Sequence, residues 1–352
     1  LTAASEEPVI KTPTKIDRSV QPPLGPDPEV TLPSVWTGSL GNGMKIYGIN
    51  YNELPLLQYS IIISGGHLLD PLDKAGLASL TASLMNEGTA KKTPEELEDA
   101  IRLLGASISF SGGTENITVR VSTLARNLEK TLALVEEMLF EPRWDEEQFG
   151  LAKSRVINNL KRNKANPSYL ASNTLNGLIF GQGNILAVET AGTEESVGAI
   201  TIDDLKDFYN SNFSPSLAKF IVAGDIDQPR VEAALASLNE KWQPKDVSLP
   251  EIEVPESPEK SQIYFVDVPG AKQSVIYIGA PSIARTNPDY HPASVTNYKL
   301  GGSFNGIFNL ILREEKGFTY GARSNFSGGN NYGSFMATSM VSTNSTLESV
   351  NI

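Results

Sequence analysis

The stretch Gly76-Leu-Ala-Ser-Leu-Thr-Ala-Ser-Leu-Met-Asn-Glu-Gly-Thr89 decides the fold of this chain. Its large apolar residues recur at the spacing of one helix face. They are Leu77, Leu80, Leu84 and Met85. The pattern therefore predicts a helix over about 74–87 that packs one face into a core.

A second set of positions on this helix holds small residues: Ser79 and Ser83 lie four apart, and Ala82 precedes Ser83. In zinc peptidases, two His on one helix bind the metal and a neighbouring Glu activates water. The frame resembles the inverted zinc motif of the pitrilysin/insulinase-type metallopeptidases, which include mitochondrial processing peptidase. In that family His-x-x-Glu-His stands between Gly-Leu-Ala and Gly-Thr.

The resemblance aligns Ser79, Ala82 and Ser83 with the family's first His, catalytic Glu and second His. Its third ligand is a Glu, and the same count of 76 residues from Ser83 reaches Asn159. Neutral hydroxyl and amide oxygens lack the charge and basicity that a tetrahedral zinc site needs. We predict no metal and no cofactor in this chain, and we interpret these four positions as a degenerate zinc site.

Composition limits the partners that the chain can have. The 29 Lys and Arg against 41 Asp and Glu give a net charge of -12, which repels phosphate backbones and argues against nucleic-acid binding. No apolar run approaches the 18 or so residues needed to span a bilayer. We expect a soluble chain without a membrane span.

Cysteine and histidine usage narrows the chemistry further. The absence of Cys excludes disulfides and thiolate sites within the chain, and it is compatible with a bacterial periplasm or cell envelope as well as with the cytosol. The two histidines, His67 and His291, are separated by 224 positions. We interpret them as surface or capping residues and not as a zinc pair.

Four segments follow along the chain. Residues 1–34 are proline-rich and predict an extended lead-in. Residues 35–243 contain strands, then several helices, then a strand over about 217–223, an order that favours an α+β layer over a doubly wound sheet. Residues 244–260 carry four Pro and predict a linker. Residues 261–352 form a second domain.

The second domain repeats the first. Gln273–Ala280 echoes Gln58–Gly65, and Ala293–Thr296 echoes Ala78–Thr81, both at an offset of 215. Two similar halves joined by a linker are also what the resemblance implies. Because only 92 residues follow the linker, we expect the second half to be incomplete at its C-terminus and its apolar sheet to need a cover.

A second segment with candidate chemistry is Leu300-Gly-Gly-Ser-Phe-Asn-Gly-Ile-Phe-Asn-Leu-Ile-Leu-Arg-Glu-Glu-Lys-Gly-Phe-Thr-Tyr320. Its two leading glycines predict a flexible turn that another chain can approach closely, and an amphipathic helix follows. Arg313 and Tyr320 stand at the helix end and at the start of the next strand.

This segment resembles the family's second-half signature of a glycine-rich turn, a helix ending in Leu-Arg and a Tyr seven residues later. The resemblance implies that Arg313 and Tyr320 reach across a chamber to assist a zinc-bearing half, and that Gly301, Gly302 and Ser303 contact substrate. The alternative interpretation is an Arg on a solvated helix end and a Tyr in an ordinary strand.

Three hypotheses follow. The first is a non-catalytic, peptide-binding half of a zinc metalloendopeptidase, completed by a zinc-bearing half that is fused upstream or separate. The second is a proteolytically inactive scaffold subunit of the same superfamily. The third, an enzyme that uses Ser79 or Ser83 as nucleophile, is disfavoured because the local sequence offers no base or orienting group.

Overall fold

The computed structural model of this chain describes residues 31–352 and, before them, Asp17, Ser19, Val20, Pro23, Gly25, Pro26 and Glu29. Most of the predicted lead-in therefore lies outside the described residues. From Val35 to Ile352 the chain forms one compact unit. This unit contains a six-stranded sheet and a three-stranded sheet with helices packed on them, which confirms the mixed α+β architecture.

The first sheet has the strand order β1-β2-β6-β3-β5-β4. Its strands are β1 Val35–Ser39, β2 Lys45–Asn50, β3 Leu56–Ser64, β4 Ser107–Gly112, β5 Asn116–Leu124 and β6 Ala218–Gly224. Strand β3 is central because alternate side chains, from Leu57 to Ile63, are buried. Strand β6 lies between β2 and β3, parallel to the former and antiparallel to the latter.

The first half of the chain also contains several helices. They are α1 Leu77–Leu84, α2 Pro94–Leu103, α3 Leu128–Phe140, α4 Glu146–Asn163, α5 Pro167–Phe180, α6 Glu194–Ala199, α7 Ile202–Asn212, α8 Gln228–Ala234 and α9 Ala236–Lys241. The Thr93 side chain caps α2 and its partner Glu96 completes a capping box. Leu235 separates the two short helices α8 and α9.

Helix α1 is shorter than predicted, and Gly76 sets its N-terminal limit. Gly76 has a φ of 102°, a left-handed conformation that starts the helix one residue later. The predicted apolar face is buried, and Leu80 and Leu84 are almost completely inaccessible to solvent. The stretch that decides the fold therefore anchors one core made by both sheet and helices.

The second sheet has the order β7-β9-β8. Its strands are β7 Gln273–Pro281, β8 Thr319–Gly328 and β9 Gly333–Ser342, and the helices beside it are α10 Tyr290–Asn297, α11 Ile307–Asn309 and α12 Thr346–Asn351. Helices α10 and α11 continue with wider, π-type turns over Tyr298–Gly302 and Leu310–Glu315.

Helix α5 belongs to the first half in sequence but packs on the second sheet. A Cβ added at Gly279 of β7 would lie 2.9 Å from Leu175 and 3.1 Å from Ile179 of this helix. Ile179 and Phe180 form a small core with Ile252 and Val254 of the predicted linker packed against it. The linker, which contains neither helix nor strand, is thus held against α5.

Candidate functional site

The N-terminus of α1 is fixed by the buried carboxylate of Asp70. Its two oxygens accept hydrogen bonds from the backbone N–H groups of Gly76 (2.9 Å) and Ala78 (2.8 Å). The same carboxylate lies 2.7 Å from Nδ1 of His67, and Nε2 of His67 lies 3.0 Å from the carbonyl oxygen of Val188. Each ring nitrogen of His67 thus faces an oxygen atom, one from a carboxylate and one from a backbone carbonyl.

His67 is only 1% exposed. Of the two predicted roles, surface or capping, the surface role is therefore wrong for this residue. His67 supports a helix cap through Asp70. His291 lies in the first turn of helix α10 and is exposed. The two histidines have separate surroundings.

The C-terminal end of α1 is held to the edge strand β4 by Asn86. Its Nδ2 donates to the carbonyl oxygens of Ala82 and Phe110, both at 3.0 Å, and its Oδ1 accepts from the N–H of Phe110 at 2.8 Å. The strand crosses the helix closely, because a Cβ added at Gly112 would lie 2.8 Å from Cα of Ser79. Helix and strand are in direct contact at the degenerate site.

The four degenerate positions do not fit a zinc ion. Ala82 is completely buried in the core, Ser79 is half-buried, and Ser83 and Asn159 are exposed. The Asn159 amide oxygen accepts a hydrogen bond from Arg162 on the same helix. In the part of the chain that the structure describes, no group of three or more His, Cys, Asp or Glu side chains could hold a metal ion.

Tyr320 stands on a β-bulge near the start of β8. The pairing of β8 with β9 changes register between Thr319 and Ala322. The Thr319 hydroxyl accepts from the N–H of Gly321 (3.0 Å) and donates to the carbonyl oxygen of Met340 (2.6 Å). Bulges re-aim side chains, and here the bulge leaves Tyr320 91% exposed.

A buried amide connects this bulge to the turn before α11. The Asn309 Oδ1 accepts from the N–H of Ala322 (2.7 Å), and its Nδ2 donates to the carbonyl oxygen of Phe304 (2.9 Å). The Asn297 amide binds β8 at a later residue. It donates to the carbonyl oxygen of Ser324 (2.7 Å) and accepts from the Ser324 hydroxyl (2.6 Å). The turn, the helix and β8 are therefore held at a fixed spacing.

Arg313 lies under an aromatic ring. Its guanidinium carbon is 4.5 Å from the ring centroid of Phe304, a cation–π distance. Nη1 of Arg313 is 3.5 Å from a carboxylate oxygen of Glu314, yet it is buried without a hydrogen-bond partner in the described chain. Nη1 is therefore not open to a ligand, whereas the side chain of Arg313 as a whole is 33% exposed.

The predicted substrate-contacting turn is only partly accessible. Gly301 is buried against β8, and a Cβ there would lie 2.4 Å from the Ser324 hydroxyl. The predicted approach of another chain to this turn is wrong at Gly301. This residue approaches a strand of its own chain, inside the π-type turn that ends α10. Gly302 is exposed and Ser303 is half-buried.

The degenerate site and the second segment remain separate within the chain. Among the described residues, no hydrogen bond or ion pair joins Arg313 or Tyr320 to Ser79, Ser83 or Asn159. Arg313 and Tyr320 are likewise not hydrogen-bonded to each other.

A polar cleft marks the junction of the two halves. It has a volume of about 460 Å³, and His67, Val188, Asn176 and Tyr332 are among its lining residues. Across the junction, Glu115 accepts a hydrogen bond from the N–H of Asn330 at 2.7 Å. Burial, aided by the charge of Glu115, raises the pKa of Tyr332 to about 12, so this phenol stays neutral.

Sequence reasoning missed the supporting residues of both regions. Asp70, Asn309 and Phe304 carry no motif, and only the fold shows that they hold the α1 cap, the β8 bulge and the Arg313 side chain. The Asn309 spacing, four before Arg313, gives no hint of its contact with β8.

Comparisons with known proteins place the chain in a family. The profile described as insulinase (peptidase family M16) matches residues 55–186, and the profile described as peptidase M16 inactive domain matches residues 199–352. A non-peptidase homolog, YmxG, from Helicobacter pylori is 26% identical over 78% of this chain and 63% of its own length. An uncharacterized zinc protease from Streptomyces coelicolor, SCO5738, is 23% identical over 70% of this chain and 54% of its own length.

The chain thus spans between half and two thirds of the length of these two relatives. A crystal structure of a peptidase M16 inactive domain from Pseudomonas fluorescens is 27% identical, with a TM-score of 0.83 over 90% of this chain and 77% of that one. In the described residues, no helix has the length and apolarity needed to cross a bilayer. Because both profiles match in chain order and together span most of the chain, this chain belongs to peptidase family M16, and its residues 199–352 match the inactive domain of that family.

Proposed function

We propose that the chain is the non-catalytic, peptide-binding half of a zinc metalloendopeptidase. In this proposal it forms one wall of a peptide chamber, and a zinc-bearing half, fused or separate, forms the other. The observation that carries the proposal is the β8 bulge, where a buried polar network holds an almost fully exposed tyrosine. An exposed phenol on so heavily supported a backbone is better explained by a contact outside the chain than by packing.

The chemistry of the two side chains suits a supporting role in peptide hydrolysis. The Tyr320 hydroxyl can donate a hydrogen bond to the oxyanion that forms at a scissile carbonyl. The Arg313 side chain is 33% exposed, and the guanidinium N–H groups other than the buried Nη1 can donate to peptide carbonyl oxygens. Zinc, bound on the partner half, would supply the activated water.

Reconstitution tests the proposal. The chain is mixed with a zinc-bearing half that retains His-x-x-Glu-His, and cleavage of a quenched fluorescent peptide is measured against the zinc-bearing half alone. We expect the mixture to be at least tenfold faster, and Tyr320→Phe to lose about tenfold to a hundredfold of that gain, since one oxyanion donor typically contributes on this order or more.

Tyr332→Phe is the matched control, because Tyr332 is a partly buried phenol of the same sheet region. It should leave the rate of the mixture unchanged. A mixture no faster than the zinc-bearing half alone, or a Tyr320→Phe mixture as fast as wild type, would refute the proposal.

A second candidate function is a scaffold subunit without any role in proteolysis. The match to a relative named as a non-peptidase homolog favours it. Stable incorporation into a larger assembly, together with indifference of that assembly to Arg313→Ala and Tyr320→Phe, would support this alternative. The serine-nucleophile hypothesis gains nothing, since neither Ser79 nor Ser83 has a hydrogen bond to a basic side chain within the described chain.

A further inference from the structure

We infer that the cleft between the two halves is a binding site for a small organic molecule that carries a primary ammonium group. The cleft has a volume of about 460 Å³, which suits a small-molecule site. Its lining comes mainly from α5, from the segment that follows α5 and from the β8–β9 hairpin. Neither Arg313 nor Tyr320 lines it, so the inference stands apart from the proposed function.

The first step concerns the charge of the lining. Glu189 is half-buried, and within the described chain its carboxylate has neither a cation nor a hydrogen-bond donor as partner. No Lys or Arg lines the cleft, and the one basic group there, His67, already has the carboxylate of Asp70 at 2.7 Å. A partly desolvated carboxylate without a counterion is unfavourable, and a ligand ammonium supplies the missing partner.

The second step concerns a further carboxylate at the edge of the cleft. Glu115 accepts a hydrogen bond from the N–H of Asn330 and pairs with no cation among the described residues. Burial is the main cause of the raised pKa of Tyr332, and the charge of Glu115 adds to it. The negative potential of Glu115 therefore reaches the cleft lining, where it attracts a cation as Glu189 does.

The third step concerns the apolar part of the lining. The rings of Phe180 and Tyr332 stand nearly perpendicular, at 87°, with their centroids 6.0 Å apart. Aromatic ring faces attract cations. Leu186 and Met336 add apolar surface to the same cleft, and a short carbon chain attached to the ammonium can pack on it.

The fourth step concerns neutral hydrogen-bonding groups. Ser172, Asn176 and Thr190 line the cleft with half-buried side chains that have no hydrogen-bond partner in the described chain. Their hydroxyl and amide oxygens accept from N–H groups. A primary ammonium has three N–H donors and can satisfy one carboxylate together with two such oxygens, whereas a quaternary ammonium has none. A metal ion fits less well, because among the described residues no three His, Cys, Asp or Glu could hold one.

Ligand-observed NMR titration of the full chain tests this inference. The probes are n-pentylammonium and n-pentanol, which share the same carbon chain and differ in the charge of the head group. Wild type should bind the ammonium at least about tenfold tighter than the alcohol, as expected for charge-assisted hydrogen bonds in a partly desolvated site. Glu189→Gln keeps the shape and removes the charge, so it should reduce this ratio to below about twofold. Glu189→Asp should keep the ratio well above that of Glu189→Gln.

Two further substitutions separate the ring of Tyr332 from its hydroxyl. Tyr332→Phe keeps the aromatic face and should leave the affinity for the ammonium unchanged. Tyr332→Leu should weaken it by about threefold, which is typical of a cation–π contact at a partly exposed site. Glu95→Gln, at an exposed carboxylate of α2 outside the cleft, is the matched control and should change nothing.

Equal affinity of wild type for the two probes overturns the inference, and so does an ammonium preference that survives Glu189→Gln. Equal losses in Glu189→Gln and Glu95→Gln also overturn it, since they show that the net charge of -12 attracts the ammonium and the cleft does not. None of these results bears on cleavage by the reconstituted mixture, which tests the proposed function separately.

Discussion

Two helices in this molecule each lie against the edge of a sheet, and they are used differently. In the first half α1 is held to β4 by the Asn86 amide. In the second half α11 is held to β8 by the Asn309 amide. The same device, a side-chain amide on strand backbone, joins both pairs.

The difference lies in what the strand carries. Beside α1 the surface is apolar and closely packed, with Ala82 fully buried and Gly112 against Ser79. Beside α11 the strand bulges and projects Tyr320 into solvent. Buried polar contacts in the second half hold a strand that carries an exposed side chain, whereas α1 is part of the core.

The largest expected effect comes from putting ligands back on α1. Ala82→Glu places a carboxylate where the side chain is completely buried, and we expect it to lower the free energy of unfolding by about 3 kcal/mol or more. Ser83→His, at an exposed position of the same helix, should change it by less than about 0.5 kcal/mol. Urea unfolding of the two variants measures both values.

Zinc binding by the wild-type chain tests the same description of α1. The wild-type chain, dialysed against zinc and measured by inductively coupled plasma mass spectrometry, should retain no stoichiometric metal at Ser79, Ser83 and Asn159. One equivalent of zinc that is lost on substitution of these residues would contradict the picture of α1 as a plain core helix.

The next effect compares the two amides. Asn86→Ala removes three hydrogen bonds to backbone carbonyl and N–H groups of Ala82 and Phe110, and Asn309→Ala removes two. We expect losses of about 2–3 kcal/mol for Asn86→Ala and about 1–2 kcal/mol for Asn309→Ala, since unsatisfied buried groups remain in each case.

Hydrogen exchange separates the two variants by location. Asn309→Ala should speed amide exchange in β8 around Ala322 and reduce the gain seen on reconstitution. Asn86→Ala should speed amide exchange around Phe110. It should leave the increase in peptide cleavage rate on reconstitution, per folded molecule, unchanged. If both variants lose the increase in cleavage rate equally, the packed helix α1 and the strand β8 with its exposed tyrosine do not differ in function.

A smaller effect follows from pH, and it belongs to the first half. Burial favours protonation of Glu137, but hydrogen bonds from Lys92 (2.6 Å) and Thr89 outweigh it and hold the pKa of Glu137 below its ordinary value. Because the folded-state pKa is depressed, this group stabilises the fold above the unfolded-state pKa, and the contribution disappears as pH falls through the folded-state pKa.

Glu137→Gln should therefore lower the free energy of unfolding by about 1 kcal/mol at pH 7 and by much less near pH 3. Urea unfolding at the two pH values measures the difference. Glu348→Gln is the control in the second half: Glu348 pairs with Lys316 at 3.2 Å on the surface, so its effect should be small at both pH values. A pH-independent loss in Glu137→Gln would show that shape, and not charge, is what Glu137 contributes.

The comparison also explains what the sequence could predict. Periodicity predicted α1, because apolar spacing reports burial directly, and the order of strands and helices predicted the α+β architecture. The four positions that the resemblance aligns with the family's zinc ligands and catalytic Glu lie on α1 and α4.

Long-range contacts were out of reach of the sequence. That α5 covers the sheet of the other half depends on how residues over 100 positions apart meet, as Gly279 and Leu175 do. The roles of His67, Asn309 and Phe304 depend on partners elsewhere in the fold and carry no local pattern. Gly301 was misread because two adjacent glycines predict flexibility as readily as close packing.

The smallest expected effect on stability is that of Tyr320→Phe, and it decides whether a change in cleavage can be attributed to function. Tyr320 is 91% exposed, and within the described chain its hydroxyl has no hydrogen-bond partner, so Tyr320→Phe should change the free energy of unfolding by less than about 0.5 kcal/mol. Thermal unfolding followed by circular dichroism checks this directly. If stability is unchanged while reconstituted cleavage falls, the tyrosine acts on something outside its own fold. If stability falls as well, the hydroxyl has a structural partner, and the contrast between the packed helix α1 and the presenting strand β8 loses its clearest case.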